Sequence, residues 1–350
     1  MNRLGASLLG AIGVGVAAAA AWRGPGAFPH AWLAALTAWI SWPLGSMGLL
    51  LIHCLTGGGW GFAIRSQLIT GIRTLPLLAP FLVPLLLAAK ELYPWLKPQA
   101  AALDNAFYLN GPAAAARVAL YLVIWFALAR AMLQALRNRS PEIALERLAP
   151  SGLILLALSL TFASIDAILS LDPRFASSVF GMMTIAEMAL TALSIAIFLA
   201  AIAAPPDRET LRQLGRLLLA LTILWAYLDF VQLLIVWQSN LPSEASWYNL
   251  RWRGFWGGLA LAIVGIHFAL PFLVLLSPRA QRSRGAMMLL CGLLILGAAL
   301  RSLWLVAPPF SASLDWVEGG AMLGALAIAA AAAMYAMPKT GGPKHVQTRP

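Results

Sequence analysis

Charged side chains are scarce in this chain of 350 residues, since Asp, Glu, Lys and Arg make up 11% of it. A soluble domain carries about 25% charged residues, because its surface must face water. Hydrophobic residues make up 61% of the chain, and the mean hydropathy is +0.81. The scarcity of charge therefore excludes an ordinary soluble protein and indicates a chain whose solvent is lipid.

Cysteine and histidine are also scarce, and this limits the redox centres that the chain itself could bind. The two cysteines, Cys54 and Cys291, exclude a disulfide scaffold and a cysteine-ligated iron–sulfur or zinc site within the chain. His53 and His267 lie at different depths, so haem ligation by this chain is not expected. Nucleotide-binding loops and catalytic triads are missing. We predict no metal site and no catalytic residue here, and we expect partner subunits to carry any redox centre.

Long apolar runs dominate what is present, and Gly- or Pro-containing loops separate them. Each run is long enough to cross a bilayer as a helix, and the period-2 alternation of a membrane barrel is absent. The sequence therefore predicts an all-α integral membrane protein, a single polytopic domain over residues 1–338 with a disordered tail over 339–350. The ten predicted transmembrane helices are Leu4–Ala21, His30–Leu55, Leu68–Ala89, Ala113–Gln134, Pro150–Leu171, Ala176–Ala204, Leu211–Gln238, Gly254–Leu276, Gly285–Val306 and Asp315–Met337.

The distribution of basic residues predicts the orientation. With a cytoplasmic N-terminus, sixteen of the 24 Lys and Arg residues lie in or next to cytoplasmic loops, seven lie on the opposite side, and Arg301 lies inside a helix. Cytoplasmic loops of membrane proteins carry an excess of Lys and Arg. Both termini are therefore predicted to be cytoplasmic. The net charge of +11 largely reflects this bias and needs no nucleic-acid partner.

Ionisable side chains within the predicted helices are candidates for function, because each one costs free energy to insert. Asp166, Glu187 and Asp229 lie in the outer halves of the fifth, sixth and seventh helices, and Arg301 lies near the outer end of the ninth. Asp315 and Glu318 open the tenth helix on the same side. These groups predict a polar cluster that relays protons near the outer surface. The alternative is that Arg301 pairs with one acid while the others make ordinary interhelical contacts.

Three further polar side chains accompany these acids. Tyr227 and Gln232 flank Asp229 on the seventh helix, and Gln232 shares its face. His267 lies near the middle of the eighth helix, where it is either a proton relay or a hydrogen-bonded packing residue.

The loop between the seventh and eighth helices, residues 238–253, is rich in hydrogen-bonding groups. It is either a docking surface for a peripheral subunit or a well-anchored turn. The candidate docking residues are Asn240, Glu244, Trp247, Tyr248 and Arg251.

Two segments resemble a known family. Residues 225–244, WAYLDFVQLLIVWQSNLPSE, and residues 166–181, DAILSLDPRFASSVFG, are similar to the ActF-type, NrfD-like (polysulfide-reductase-like) membrane subunits of bacterial alternative complex III. Family members more often carry Tyr at the position of Gln238 and Trp at the position of Ala167.

The resemblance implies an integral subunit of a quinol:electron-acceptor oxidoreductase in the bacterial inner membrane. It implies two four-helix bundles, helices 2–5 and 6–9, flanked by helices 1 and 10. The implied partners are an ActC-like paralogue, a multihaem cytochrome and an iron–sulfur subunit, which would carry the haem and iron–sulfur clusters. A quinol is a possible ligand of this chain, and its role would be proton conduction, structural support or both.

Two other functions fit the composition. An ion-coupled secondary transporter would show interrupted helices at corresponding positions of two inverted repeats. Pro76, Pro80 and Pro84 in the third helix and Pro271 in the eighth are candidate interruptions, although no sequence repeat surrounds them. A purely structural membrane anchor would use the same buried acids only for assembly.

Overall fold

The computed structural model describes residues 3–97 and 105–337, and no strand occurs among them. In this part of the chain ten helices are long and apolar enough to cross a membrane, which confirms the predicted all-α fold with ten transmembrane helices. The predicted tail, residues 339–350, lies outside the described residues. We number the helices spans 1 to 10: Arg3–Arg23, Phe28–Thr56, Gly59–Leu87, Gly111–Ala135, Pro141–Leu171, Phe180–Ala203, Arg208–Ser239, Gly254–Leu275, Arg284–Val306 and Trp316–Ala336.

Three helix starts differ from the apolar runs. Span 3 begins at Gly59 rather than Leu68, and span 5 begins at Pro141 rather than Pro150. Their first turns are polar, and a helix needs no apolar side chains where it extends beyond the hydrocarbon layer. Span 6 begins at Phe180 rather than Ala176, because the Ser177 hydroxyl accepts a hydrogen bond from the Phe180 backbone N–H at 3.0 Å.

Side-chain caps fix the starts of four other spans. Asn110, Asp207, Ser283 and Asp315 each accept a hydrogen bond from a backbone N–H in the first turn of the helix that follows. These N–H groups have no partner within their own helix, so the caps satisfy them. Asp315 and Glu318 cap each other's backbone reciprocally at the start of span 10.

Span 2 is the central helix. It is the most buried of the ten, and it packs against spans 3, 5, 6, 9 and 10. Gly45 allows this packing, since a Cβ atom there would lie 2.0 Å from the carbonyl oxygen of Met188 on span 6. Spans 2 and 6 therefore touch backbone to backbone. The division into two four-helix bundles stays a prediction.

Spans 1 and 10 pair antiparallel on the flank of the protein. Gly13 and Gly324 face each other, and a Cβ atom on either would lie 2.8 Å from the other's carbonyl oxygen. Such small residues let two membrane helices approach closely. At the far end Tyr335 donates a hydrogen bond to the Arg3 carbonyl, so the two ends of the described chain lie on the same side.

Two spans change their hydrogen-bonding pattern midway. Span 3 contains a 3₁₀ turn at Leu75–Leu77, and span 8 contains a π-helical stretch at Val264–Ala269. The 3₁₀ turn contains Pro76, and Pro271 follows the π-helical stretch by two residues. A proline has no N–H to donate to the preceding turn. The stretch in span 8 carries His267, so it sets the position of one candidate functional residue.

Candidate functional site

Four ionisable side chains from four consecutive spans meet inside the protein. Arg301 of span 9 donates from Nη2 to both carboxylate oxygens of Asp229 on span 7, at 2.8 and 2.9 Å. Its Nε atom lies 3.8 Å from Oε2 of Glu187 on span 6. His267 Nε2 of span 8 lies 3.4 Å from Glu187 Oε1. We call Glu187, Asp229, His267 and Arg301 the buried charge cluster.

Local backbone features bring His267 into this cluster. The π-helical stretch Val264–Ala269 inserts its extra residue within the turn that carries the imidazole. On span 9, Gly297 leaves room for the ring, because a Cβ atom there would lie 2.3 Å from His267 Nδ1. π-Helical turns inside α-helices occur frequently at functional sites. The close fit indicates that the imidazole position is fixed by spans 8 and 9 together.

Trp225 and Thr191 complete the surroundings. The Trp225 ring meets the His267 ring edge to face, with centroids 4.5 Å apart. The Arg301 guanidinium lies 5.5 Å from the Trp225 ring centroid, within the range of a cation–π contact. Thr191 donates a hydrogen bond to Glu187 Oε1 at 3.2 Å. The charges therefore lie in a mostly apolar setting in which electrostatic interactions are strong.

The formal charges of the cluster do not balance. Two carboxylates and one guanidinium sum to minus one when His267 is neutral. The side chains of His267, Arg301 and Glu187 are 0%, 6% and 10% exposed, whereas that of Asp229 is 25% exposed. An unbalanced buried charge is costly. One added proton, on His267 or on either carboxylate, makes the formal charge of the cluster zero.

Several polar atoms of the cluster have no hydrogen-bond partner among the described residues. They are Glu187 Oε2, Trp225 Nε1 and both ring nitrogens of His267, whose contact with Glu187 is close enough for an ion pair but lacks hydrogen-bond geometry. More than 90% of buried polar groups in proteins are paired, so this concentration is unusual. Of these atoms, Glu187 Oε2 and a ring nitrogen of His267 can accept a proton, whereas the indole N–H of Trp225 can only donate a hydrogen bond.

Asp166 lies in a separate cluster. Arg117 of span 4 holds its carboxylate with two hydrogen bonds of 2.8 and 3.0 Å, and the Tyr121 hydroxyl donates a third at 2.8 Å. The pair is neutral and both carboxylate oxygens are bonded. The Arg117 guanidinium also lies 3.7 Å from the Tyr108 ring centroid. Burial, followed by the nearby Asp166 carboxylate, raises the pKa of Tyr108 to about 12. This geometry favours a structural role for Asp166.

A third buried pair joins spans 2 and 10. His30 Nε2 lies 3.0 Å from Glu318 Oε1, and the His30 ring stacks on Phe310 with centroids 4.9 Å apart. Glu318, in the first turn of span 10, is fully buried. Asp315 stays exposed, and a hydrogen bond with Glu318 is the main cause that raises the pKa of Asp315. Neither residue reaches the buried charge cluster.

Tyr227 and Gln232, the two candidates near Asp229 on span 7, lie in different environments. Tyr227 is 61% exposed on the outside of span 7. Gln232 is buried, and its side-chain oxygen accepts a hydrogen bond from Ser177 at the start of span 6. Only Asp229 of these three belongs to the buried charge cluster.

The predicted docking loop contains a helix, Pro242–Arg251, and two of its candidate residues point inward. Arg251 is fully buried, lies 3.2 Å above the Trp247 ring and donates to the Leu305 carbonyl at 2.6 Å. Burial lowers the pKa of Arg251 to about 9. Arg251 thus anchors the loop to span 9, while the Trp247 ring stacks on Phe175 before span 6 with centroids 4.7 Å apart. Both side chains are buried and offer no outer surface.

The other three candidates of this loop remain near its surface. Asn240 ends span 7 in the left-handed conformation with φ of 48°. Glu244 accepts a hydrogen bond from Ser239 at 3.1 Å. Tyr248 is half-buried, and burial raises its pKa. A docking role for this face stays a prediction.

Sequence reasoning missed the partners Arg117, Tyr121 and His30. By sequence Arg117 is one of the seven basic residues on the outer side, and His30 is the first residue of the second predicted helix. One signal was present: an Asp or Glu buried in lipid requires a cationic or hydroxyl partner at its own depth.

Comparisons with known proteins do not assign the chain to a family. No model of a known protein family matches the chain, and the comparison with curated proteins found no match. Among residues 3–97 and 105–337, no group of three or more His, Cys, Asp or Glu side chains could hold a metal ion. The structure therefore supports a membrane-spanning, all-helical protein with a buried cluster of two acids, one histidine and one arginine.

Proposed function

We propose that this chain is an integral subunit of a quinol-oxidising respiratory complex of the alternative complex III type, and that the buried charge cluster accepts protons released by quinol oxidation. The observation that carries the proposal is the meeting of two carboxylates, one imidazole and one guanidinium inside the protein, where an added proton would bring the formal charge from minus one to zero. The similarity of residues 225–244 to the ActF-type subunits supports the choice of complex. Asp229 and Trp225 belong to both that segment and the site.

The chemistry requires a proton acceptor beside the electron carriers. A quinol that becomes a quinone gives up two electrons and two protons. In the proposed complex the electrons pass to haem and iron–sulfur centres on partner subunits. The protons need titratable groups that lead to the outer surface. This chain supplies such groups, and it has no redox role of its own in the proposal.

Each member of the cluster has a distinct part in proton transfer. Glu187 accepts a proton at Oε2, which has no hydrogen-bond partner within the described chain. His267 Nε2 lies 3.4 Å from the other carboxylate oxygen, Oε1, so a half-turn of the protonated carboxyl group brings the proton to the imidazole. Arg301 compensates the remaining negative charge, and the two hydrogen bonds from its Nη2 atom to the Asp229 carboxylate fix its position. Asp229, the most exposed member, connects the cluster to the surface of the chain.

Gentle purification tests the assembly directly. The tagged chain is extracted in a mild detergent, its partners are identified by mass spectrometry, and a haem spectrum is recorded before and after adding a short-chain quinol. We expect multihaem and iron–sulfur subunits to copurify, with haem that the quinol reduces. A colourless chain without partners in several mild detergents would contradict the proposal.

An ion-coupled transporter is the second candidate, and one observation favours it. The interrupted spans 3 and 8 are each the third of five spans when the chain is divided into halves. Interrupted helices at corresponding positions mark the binding sites of many transporters. The same purification separates the candidates, because a transporter is expected to be isolated without haem.

A further inference from the structure

A basic cavity lies where spans 3 and 5 begin and span 4 ends. Arg65 and Arg73 of span 3, Arg137 just after span 4 and Glu142 of span 5 supply its charges. Its volume is about 360 Å³, within the range of small-molecule sites. The buried charge cluster lies toward the opposite ends of its helices, since Glu187 follows the start of span 6 and Arg301 precedes the end of span 9. The cavity is therefore a separate site.

The charge of the cavity is positive. Three arginines and one glutamate give it a formal charge of plus two. Arg65 Nη1 lies 3.0 Å from Glu142 Oε1, but the Glu142 side chain is 61% exposed. Such a surface pair contributes little free energy, so an incoming anion can compete for Arg65. Arg137 is exposed, and no hydrogen bond or ion pair to its side chain occurs among the described residues.

Arg73 strengthens the positive field from deeper in span 3. It donates from Nη1 to the carbonyl oxygen of Ala336, the last residue of span 10, at 3.2 Å. This bond leaves the other guanidinium donors of Arg73 available. Arginine binds phosphate through two parallel hydrogen bonds, which a single point charge cannot supply. The three guanidinium groups therefore suit a phosphate group.

The rest of the lining is apolar. Ile69, Leu133 and Leu136 face the same cavity as the arginines. A free phosphate ion gains nothing from apolar walls, whereas a phospholipid brings acyl chains to them. Basic cavities between transmembrane helices on the cytoplasmic side are suited to anionic lipid headgroups. The arginine excess predicts that this side of the protein is cytoplasmic.

We propose that this cavity binds an anionic phospholipid, with the phosphate held by Arg65, Arg73 and Arg137 and an acyl chain lying against Ile69, Leu133 and Leu136. The site joins three spans at their loops, so a bound lipid ties their ends together. This inference does not depend on the proposed respiratory function.

Lipid titration of the purified full chain tests the proposal. The chain in neutral detergent is titrated with phosphatidylglycerol, and binding is followed by native mass spectrometry. The pocket variant Arg65→Gln/Arg137→Gln is compared with Arg279→Gln/Arg282→Gln, which removes equal charge from exposed positions in the loop between spans 8 and 9. We expect binding to weaken roughly 25-fold in the pocket variant, about fivefold for each arginine. The control variant should change little.

A second variant keeps the charges and fills the cavity. Leu136→Trp should weaken phosphatidylglycerol binding. It therefore tests the site independently if the double arginine variant does not fold. Equal losses in the pocket and control variants would overturn the proposal, because binding would then follow overall surface charge. Undiminished binding in Leu136→Trp would also overturn it. Displacement of the lipid by millimolar inorganic phosphate would assign the cavity to free phosphate instead.

Discussion

Replacing Arg301 by glutamine removes the only permanent cation of the buried charge cluster. Arg301 lies 2.8 Å from Asp229 Oδ1 and 3.8 Å from Glu187 Oε2. After Arg301→Gln both carboxylates lose their compensating charge, while the backbone of span 9 keeps its hydrogen bonds. We expect the folded protein to lose stability even though glutamine fits a helix well.

The contacts set the size of this loss. Two opposite charges about 4 Å apart attract by about 4 kcal/mol where the effective dielectric constant is near 20. Removing one partner of a buried pair typically costs about 3–5 kcal/mol, because the other charge stays buried and uncompensated. Asp229 is 25% exposed and recovers part of its hydration. We therefore expect Arg301→Gln to lower the free energy of unfolding by about 3 kcal/mol.

A double-mutant cycle measures whether this loss comes from the cluster. Free energies of unfolding are measured in mixed micelles by circular dichroism for Arg301→Gln, Asp229→Asn and the double variant. The double variant should recover about 1–2 kcal/mol of the sum of the single losses, since it removes the pair together. Arg216→Gln, at an exposed position of span 7, is the matched control and should change stability by less than about 0.5 kcal/mol. Strict additivity would refute the electrostatic account.

Three other predictions follow from the fold. Gly13→Leu should separate spans 1 and 10 and lower the melting temperature, whereas Gly5→Leu, where a Cβ atom meets nothing within 4 Å, should not. Tyr121→Phe removes the hydrogen bond to Asp166 and should cost about 2 kcal/mol in mixed-micelle unfolding. Asp207 has a pKa below its usual value, chiefly because the Thr210 backbone N–H bonds its carboxylate. Its stabilising effect is present above the ordinary pKa of 3.8 and is lost as the pH falls through the lowered value. The melting-temperature difference between wild type and Asp207→Ala should therefore shrink in acid, and a constant difference would contradict this.

The sequence predicted the architecture well because lipid imposes simple rules. A run of about 20 apolar residues must form a helix, since no other spanning structure satisfies its backbone except a closed barrel. Ten spans followed from this rule. The same rule does not predict that spans 3 and 5 begin at Gly59 and Pro141. An apolar run marks only the part of a helix inside the hydrocarbon layer, and these two helices continue beyond that layer with polar turns.

The buried charge cluster was predictable in its members but not in its pairing. Asp229, Glu187, His267 and Arg301 stood out as ionisable groups within apolar runs. Helix periodicity fixes which face of its own helix a residue occupies, but not how neighbouring helices are rotated. Asp166 shows the consequence: it seemed to share a depth with Glu187 and Asp229, yet it pairs with Arg117 of span 4.

The backbone that shapes the site was harder to predict. Pro271 indicated an interruption in span 8, but the π-helical stretch begins at Val264, before the proline. The role of Gly297 could not be predicted, because a single glycine in an apolar helix is common. Only the His267 ring that faces it in the fold explains why a glycine is needed there. Similarly, the burial of Arg251 depends on a long-range contact with Leu305.

Proton release during quinol oxidation tests the central claim most directly. The proposed quinol-oxidising complex, purified through this chain, is mixed with a short-chain quinol and excess electron acceptor in weakly buffered solution. A pH indicator follows proton release while haem absorbance follows electron transfer. With Glu187→Gln, in a complex whose subunits are all present, we expect proton release and turnover to slow about hundredfold. Glu209→Gln, at an exposed position in the first turn of span 7, should leave both rates unchanged. A Glu187→Gln complex that releases protons at the wild-type rate would contradict the account and leave the cluster only a structural role.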